Sequence, residues 1–194
     1  MSTTPYQQQK PAFGIIAAAP LGALALGAVL LYVTNLGWQL VAEGWLIELF
    51  GGLVLGALTV LGVLGLTRRP FARSLRAVCR ELRPLFTDMS WLQLLVLALL
   101  AGVGEELLFR GFLQPWLGVY LSAELGILVA AIVFGLLHFA SVPYFLLTAV
   151  LGLAFGVTYW STGSLLIVMV WHGFYDLLVF LILIYRPDLL GIAE

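Results

Sequence analysis

Charge is what this sequence lacks most. Charged residues make up 10% of its 194 positions and hydrophobic ones 62%, with a mean hydropathy of +1.09. Soluble domains hold roughly 45–50% apolar residues, so the solvent for most of this chain is lipid and an ordinary soluble enzyme is excluded. No nucleic-acid partner is expected. Cysteine is nearly absent too: Cys79 stands alone among arginines, which excludes a disulfide framework and a cysteine-rich metal site. Length sets a further limit, because 194 residues allow about six spans of roughly 20 residues each and leave no separate soluble domain. The formal net charge of −1 carries no message about partners; the placement of charge does.

The expected fold is all-α, a polytopic transmembrane helix bundle of about six spans. Residues 1–12 read as a polar cytoplasmic N-terminus and 13–66 as two transmembrane helices, the first a charge-free run from Phe13 to Val33. That run is too long for the apolar part of a cleaved signal peptide, and a second span follows at once, so it reads as a retained helix. Residues 67–90 hold six of the nine basic residues, Arg68, Arg69, Arg73, Arg76, Arg80 and Arg83. The positive-inside rule places this segment in the cytoplasm. Its helical arginine spacing suits a surface helix on anionic headgroups, although a topology signal alone would look the same. Residues 91–185 supply four more spans, about Trp91–Pro115, Leu125–Phe139, Pro143–Trp160 and Ser164–Tyr185, and 186–194 form a tail. Both termini then face the cytoplasm, in agreement with Lys10 and Arg186. Ser141-Val142-Pro143 also suits a kink or a re-entrant turn. Gly22/Gly27 and Gly152/Gly156 read as helix-packing positions. Trp91, Trp116, Trp160 and Trp171 read as interfacial aromatics.

Against this apolar background the few ionisable groups stand out. Glu105, Glu106 and Arg110 interrupt one of the most hydrophobic stretches, and His138 and His172 are the only histidines, each inside an apolar run. An ionisable group within a span is a functional-site hypothesis by default. Glu106 and Arg110 share a helical face and can pair, while Glu105 is rotated by about 100° and points elsewhere. One structural and one working carboxylate are therefore expected, although all three could be a polar knot that joins helices. Phe134 lies one turn before His138 on the same face, and His172 and Asp176 repeat the four-residue spacing. Groups of this kind gathered from three helices would make either an acid–base site or a metal site.

This series, Glu105-Glu106 with Arg110, Phe134 with His138, and His172 with Asp176, resembles the Glu-Glu-x-x-x-Arg, Phe-x-x-x-His and His-x-x-x-Asn/Asp motifs of the CAAX prenyl protease and bacteriocin-processing (CPBP) family of intramembrane endopeptidases, bacterial type. The resemblance covers about Trp91 to Tyr185 and makes this region the catalytic bundle. It implies peptide-bond hydrolysis by a glutamate-activated water. Glu105 would be the general base and His138 would hold the water. Glu106 and Arg110 would be a structural ion pair, and Phe134 would give packing support. His172 and Asp176 would stabilise the oxyanion. The eukaryotic prenyl proteases have Asn at the last of these positions, and an ionised Asp cannot donate to an oxyanion. The expectation is therefore that Asp176 orients and charges His172, and that His172 is the donor.

The expected boundaries contain a conflict of depth. At about 1.5 Å per residue they put Glu105 some 21 Å from the cytoplasmic edge and His138 near that edge. For the two to meet, the third span must start nearer Val96, or the fourth must begin near Trp116 and tilt, or a segment must be broken.

Other readings of the same residues are a zinc site on Glu105, His138 and His172 with Glu106 or Asp176 in support, which no His-Glu-x-x-His favours, a non-enzymatic immunity or binding protein, and a proton-coupled transporter. No cofactor is expected apart from that zinc possibility. The expected partners are membrane lipids and a peptide with a hydrophobic or lipidated end, and the expected setting is the inner or plasma membrane of a bacterium. The sequence does not identify prenyl recognition or an oligomeric state.

Overall fold

The computed structural model describes residues 13–192; the polar N-terminal stretch 1–12, with Lys10, and the last two residues of the tail lie outside them. The described residues form helices and no strands. The elements are α1 (Phe13–Thr34), α2 (Trp45–Thr67), α3 (Arg73–Phe86), α4 (Trp91–Glu106), a π-helical stretch (Leu107–Leu113), α5 (Gln114–Tyr120), α6 (Ala123–Leu137), α7 (Val142–Thr162) and α8 (Leu165–Tyr185), closed by a 3-10 turn at Pro187–Leu190.

Serines mark three of the helix starts. Ser90 and Gln93 make a reciprocal capping box at α4. Ser122 Oγ accepts from the Leu125 N–H at α6, and Ser141 Oγ from the Tyr144 N–H at α7. Each satisfies an N–H that the helix itself leaves free. Gly163 closes α7 with φ of 69°, a left-handed conformation that glycine adopts without a Cβ clash.

Among the described residues, five helical stretches are long and apolar enough to cross a membrane. The third of them is a 30-residue rod from Trp91 to Tyr120. It does not end at Pro115 as expected. A π-helical turn precedes that proline, with the Gln114 N–H bonded five residues back to the Phe109 carbonyl, so the rod passes a residue that has no N–H to offer an α-helical ladder. The fourth expected span is the 15-residue α6, about 22 Å long and shorter than a bilayer core. It packs antiparallel on α5 and continues into α7, which begins at the Ser141-Val142-Pro143 link.

These lengths remove the conflict of depth. Glu105 precedes the turn residue Leu121 by 16 residues and His138 follows Ser122 by 16. Two arms of equal length, each about 24 Å, bring their far ends to one level.

Close helix contacts hold the site-bearing elements. A Cβ at Gly102 of α4 would lie 2.6 Å from the Met169 carbonyl oxygen of α8, so only glycine lets these two backbones approach this closely. A Cβ at Gly27 would lie 2.9 Å from the Leu108 backbone nitrogen, whereas its sequence partner Gly22 meets nothing within 4 Å. Gly152 and Gly156 both sit at contacts, against Ala131 and Gln114.

The arginine-rich segment forms α3, whose Leu75, Val78 and Phe86 are buried while Arg68, Arg69, Arg73 and Arg80 are exposed. Phe86 stacks on Phe180 of α8 at 4.7 Å, fixing α3 across the end of the bundle. Glu48 is buried and structural: it accepts from the Ala42 and Glu43 N–H groups and from Ser164 Oγ at 2.6 Å, tying the α1–α2 loop to the start of α8. Trp91, Trp116 and Trp160 are exposed, as interfacial aromatics would be. Trp171 is not one of them; it is buried, and its indole donates to Thr59 Oγ1 at 2.8 Å.

Candidate active site

Glu105 and Glu106 end α4 and diverge in environment. Glu106 is fully buried, and its Oε1 accepts from Arg110 Nη1 at 2.9 Å and from His172 Nδ1 at 2.8 Å. One oxygen thus joins α4, the π-helical stretch and α8. Arg110 also reaches α7, where Nη2 donates to the Gly152 carbonyl at 2.7 Å. Its guanidinium carbon lies 4.9, 5.3 and 5.6 Å from the ring centres of Phe134, Phe155 and Phe109, so aromatic faces replace water around the cation.

Glu105 makes no such bonds. Its Oε2 is buried without a hydrogen-bond partner and lies 3.5 Å from Nε2 of His138. The His138 ring is oriented by its other nitrogen: Nδ1 lies 2.8 Å from the Phe134 carbonyl, which can only accept, so Nδ1 carries the hydrogen. In the neutral ring Nε2 therefore presents a lone pair toward Glu105. A gap of 3.5 Å is long for a direct hydrogen bond, so the two acceptors stand side by side without bonding each other.

His172 sits behind this pair. Its Nδ1 is taken by Glu106, and its Nε2 lies 3.5 Å from Oδ2 of Asp176. The carboxylate that fixes the ring is therefore Glu106, with Asp176 at a looser distance. Phe134 serves both imidazoles, tilted over His138 at 4.5 Å and edge-on to His172 at 5.8 Å, and Phe155 stacks on His172 at 5.2 Å. Glu105, Phe134, His138, His172 and Asp176 all line one cavity of 320 Å³ that runs toward Leu82 and Phe86 of α3. Glu106 and Arg110 stand behind its wall.

Three groups at the site were not singled out in the sequence. Gln114 continues the series 106, 110, 114 along one face, is buried, and donates to the Gly156 carbonyl at 3.0 Å, one turn beyond the Arg110–Gly152 bond. That regular spacing of polar residues was a readable signal. Tyr144 and Tyr175 also line the cavity, and nothing about a tyrosine in an apolar helix distinguishes it beforehand.

No three His, Cys, Asp or Glu side chains among the described residues come together as a metal site would need.

Residues 87–178 match the Rce1-like family, described as type II CAAX prenyl endopeptidase Rce1-like. Over this stretch, a little under half of its length, the chain is similar to that family. The matched region begins just before α4 and ends just after Asp176, so it contains every polar residue named at the site. No curated protein and no solved structure matches the chain. The Rce1-like match and the five apolar helices of spanning length among the described residues support an integral membrane protein and an intramembrane endopeptidase of the CAAX type.

Proposed function

We propose that this Rce1-like chain hydrolyses a peptide bond near the hydrophobic or lipidated end of a peptide or protein, using a water activated by Glu105 and His138 without a metal. The observation that carries the reading is the unbonded Oε2 of Glu105 facing the lone pair of His138 Nε2 across 3.5 Å, on the wall of a cavity otherwise mostly apolar.

A water lying beside the pair on the cavity side donates one hydrogen to each. Glu105 takes a proton as the oxygen attacks the scissile carbonyl, and the tetrahedral oxyanion accepts a hydrogen bond from Nε2–H of His172. The C–N bond then breaks, and Glu105 returns the proton to the leaving amine. Glu106 holds the His172 ring in place, and Asp176 supports the charge on its far nitrogen. Arg110 carries the ring cage and ties Glu106 to α7. The apolar part of the cavity suits a hydrophobic chain beside the scissile bond, such as a prenylated C-terminal cysteine. The exposed arginines of α3 favour a cytoplasmic mouth and cytoplasmic termini, with the protein in a bacterial inner or plasma membrane.

The test uses full-length protein in detergent micelles with fluorescence-quenched peptides, S-prenylated and unmodified, and mass spectrometry of the products. Cleavage beside the modified cysteine that vanishes in Glu105→Gln, with an unchanged melting temperature, is the expected result. Equal turnover by Glu105→Gln would sink the mechanism. Binding by both forms with cleavage by neither would make the chain a binding scaffold.

A further inference from the structure

Two phenols on the cavity wall have no part in the chemistry above. On α8, His172, Tyr175 and Asp176 fall at i, i+3 and i+4, so one helical face carries all three. On α7, Tyr144, Leu147, Thr148 and Leu151 repeat this spacing, and all four line the same cavity. The main chain of Tyr144 is engaged: its N–H donates to Ser141 Oγ at 3.3 Å and its carbonyl accepts from Thr148 Oγ1 at 3.0 Å. The hydroxyls of Tyr144 and Tyr175 have no hydrogen-bond partner among the described residues, although both residues are half-buried. Neither hydroxyl is among the sealed, unpartnered polar atoms, so both open onto the cavity, where each O–H is available to a ligand.

The surrounding charge selects what that partner can be. Glu105 and Asp176 line the same space, and among the described residues no lysine or arginine does. A free carboxylate at the phenols would meet two like charges, and the one imidazole nearby that can carry a charge, His172, is already held by Glu106, so the fitting acceptor is neutral. In a peptide the abundant neutral acceptor is the main-chain carbonyl.

Resting on the endopeptidase reading, we propose that Tyr144 and Tyr175 form a subsite that donates hydrogen bonds to a main-chain carbonyl of the peptide substrate, fixing its register against Glu105. The subsite recognises backbone and not side chain, so it holds sequences of different composition equally. It also disfavours a free terminal carboxylate near the reacting bond, so cleavage falls some residues inside the chain end.

Binding can be separated from turnover by using full-length Glu105→Gln protein in micelles and measuring fluorescence anisotropy of a dye-labelled S-prenylated peptide. Adding Tyr144→Phe or Tyr175→Phe keeps the ring and removes the hydroxyl. Each is expected to weaken binding about three- to tenfold with an unchanged melting temperature. A set of peptides with each peptide bond in turn replaced by a trans-alkene identifies the acceptor: one member should bind the parent and the Phe forms alike. Equal affinity of all forms for the unmodified peptide would overturn the subsite, as would a loss that persists across every alkene peptide, which marks a merely structural role. Failure of the peptide to bind the parent form overturns it as well. If the wild-type protein binds without cleaving, the endopeptidase reading fails while the subsite stands.

Discussion

Glu106 Oε1 and His172 Nδ1 lie 2.8 Å apart across 66 positions of sequence, and the same oxygen also receives Arg110. The buried carboxylate thus does two jobs: it neutralises a guanidinium and it sets the angle of an imidazole. Replacing it removes both together.

Glu106→Gln should therefore lower the cleavage rate by about 10²-fold or more, as loss of an orienting carboxylate does in a hydrolytic triad. It should also destabilise the fold by about 3–5 kcal/mol, because Arg110 keeps a buried charge with no counter-ion. Asp176→Asn, at 3.5 Å from the ring and partly exposed, should cost less on both counts. Rates and melting curves of the two variants, side by side, check the ranking.

Arg110→Lys keeps the charge and loses the fork. Lysine can satisfy Glu106 or the Gly152 carbonyl, but it cannot reproduce the planar group that now bonds both inside three aromatic rings. A melting temperature well below wild type, with activity lost in parallel, is the expected outcome; wild-type stability would show that charge alone matters here.

How much of this was legible beforehand differs by residue. The ionisable residues could be found because lipid makes each of them costly, and their four-residue spacings gave Glu106–Arg110 as a pair. The attachment of Glu106 to His172 could not be found that way, since it depends on how α4 and α8 pack and no local spacing records it. The site's depth was misjudged for a local reason: Pro115 reads as a terminator, and the π-helical turn that lets the rod continue to Tyr120 has no sequence signature of its own. Trp171 was misjudged through its neighbours, because an aromatic near a predicted span end looks interfacial until Thr59 is found beside its indole.

Gly102→Ala tests the packing directly. The new Cβ would stand 2.6 Å from the Met169 carbonyl and 2.7 Å from the Gly173 nitrogen, both backbone atoms that cannot rotate aside. The helices must separate, at a cost of about 1–3 kcal/mol, and the Glu106–His172 distance opens with them. Activity should fall more than stability explains, which denaturation and kinetic data on the same preparation would reveal.

Chelation should leave turnover intact. The proposed chemistry draws its proton traffic from Glu105, His138 and His172 alone, so activity after dialysis against a strong chelator is expected to equal that before it. Loss of activity that returns only with added zinc would refute the metal-free mechanism.

Cys79 offers a probe outside the spans. It lies half-buried on α3, where burial pushes its thiol pKa up against the opposing pull of Arg80. Less thiolate at neutral pH means slow alkylation, so maleimide labelling in micelles should trail that of a free thiol at pH 7 and quicken as pH rises.

The equal arms on either side of Leu121 and Ser122 act as a ruler. Adding or removing one residue in either arm would turn the side chain beyond it by about 100° and shift it by about 1.5 Å, enough to aim Glu105 or His138 away from the other. The chain can therefore change its lipid-facing side chains here far more freely than it can change its length.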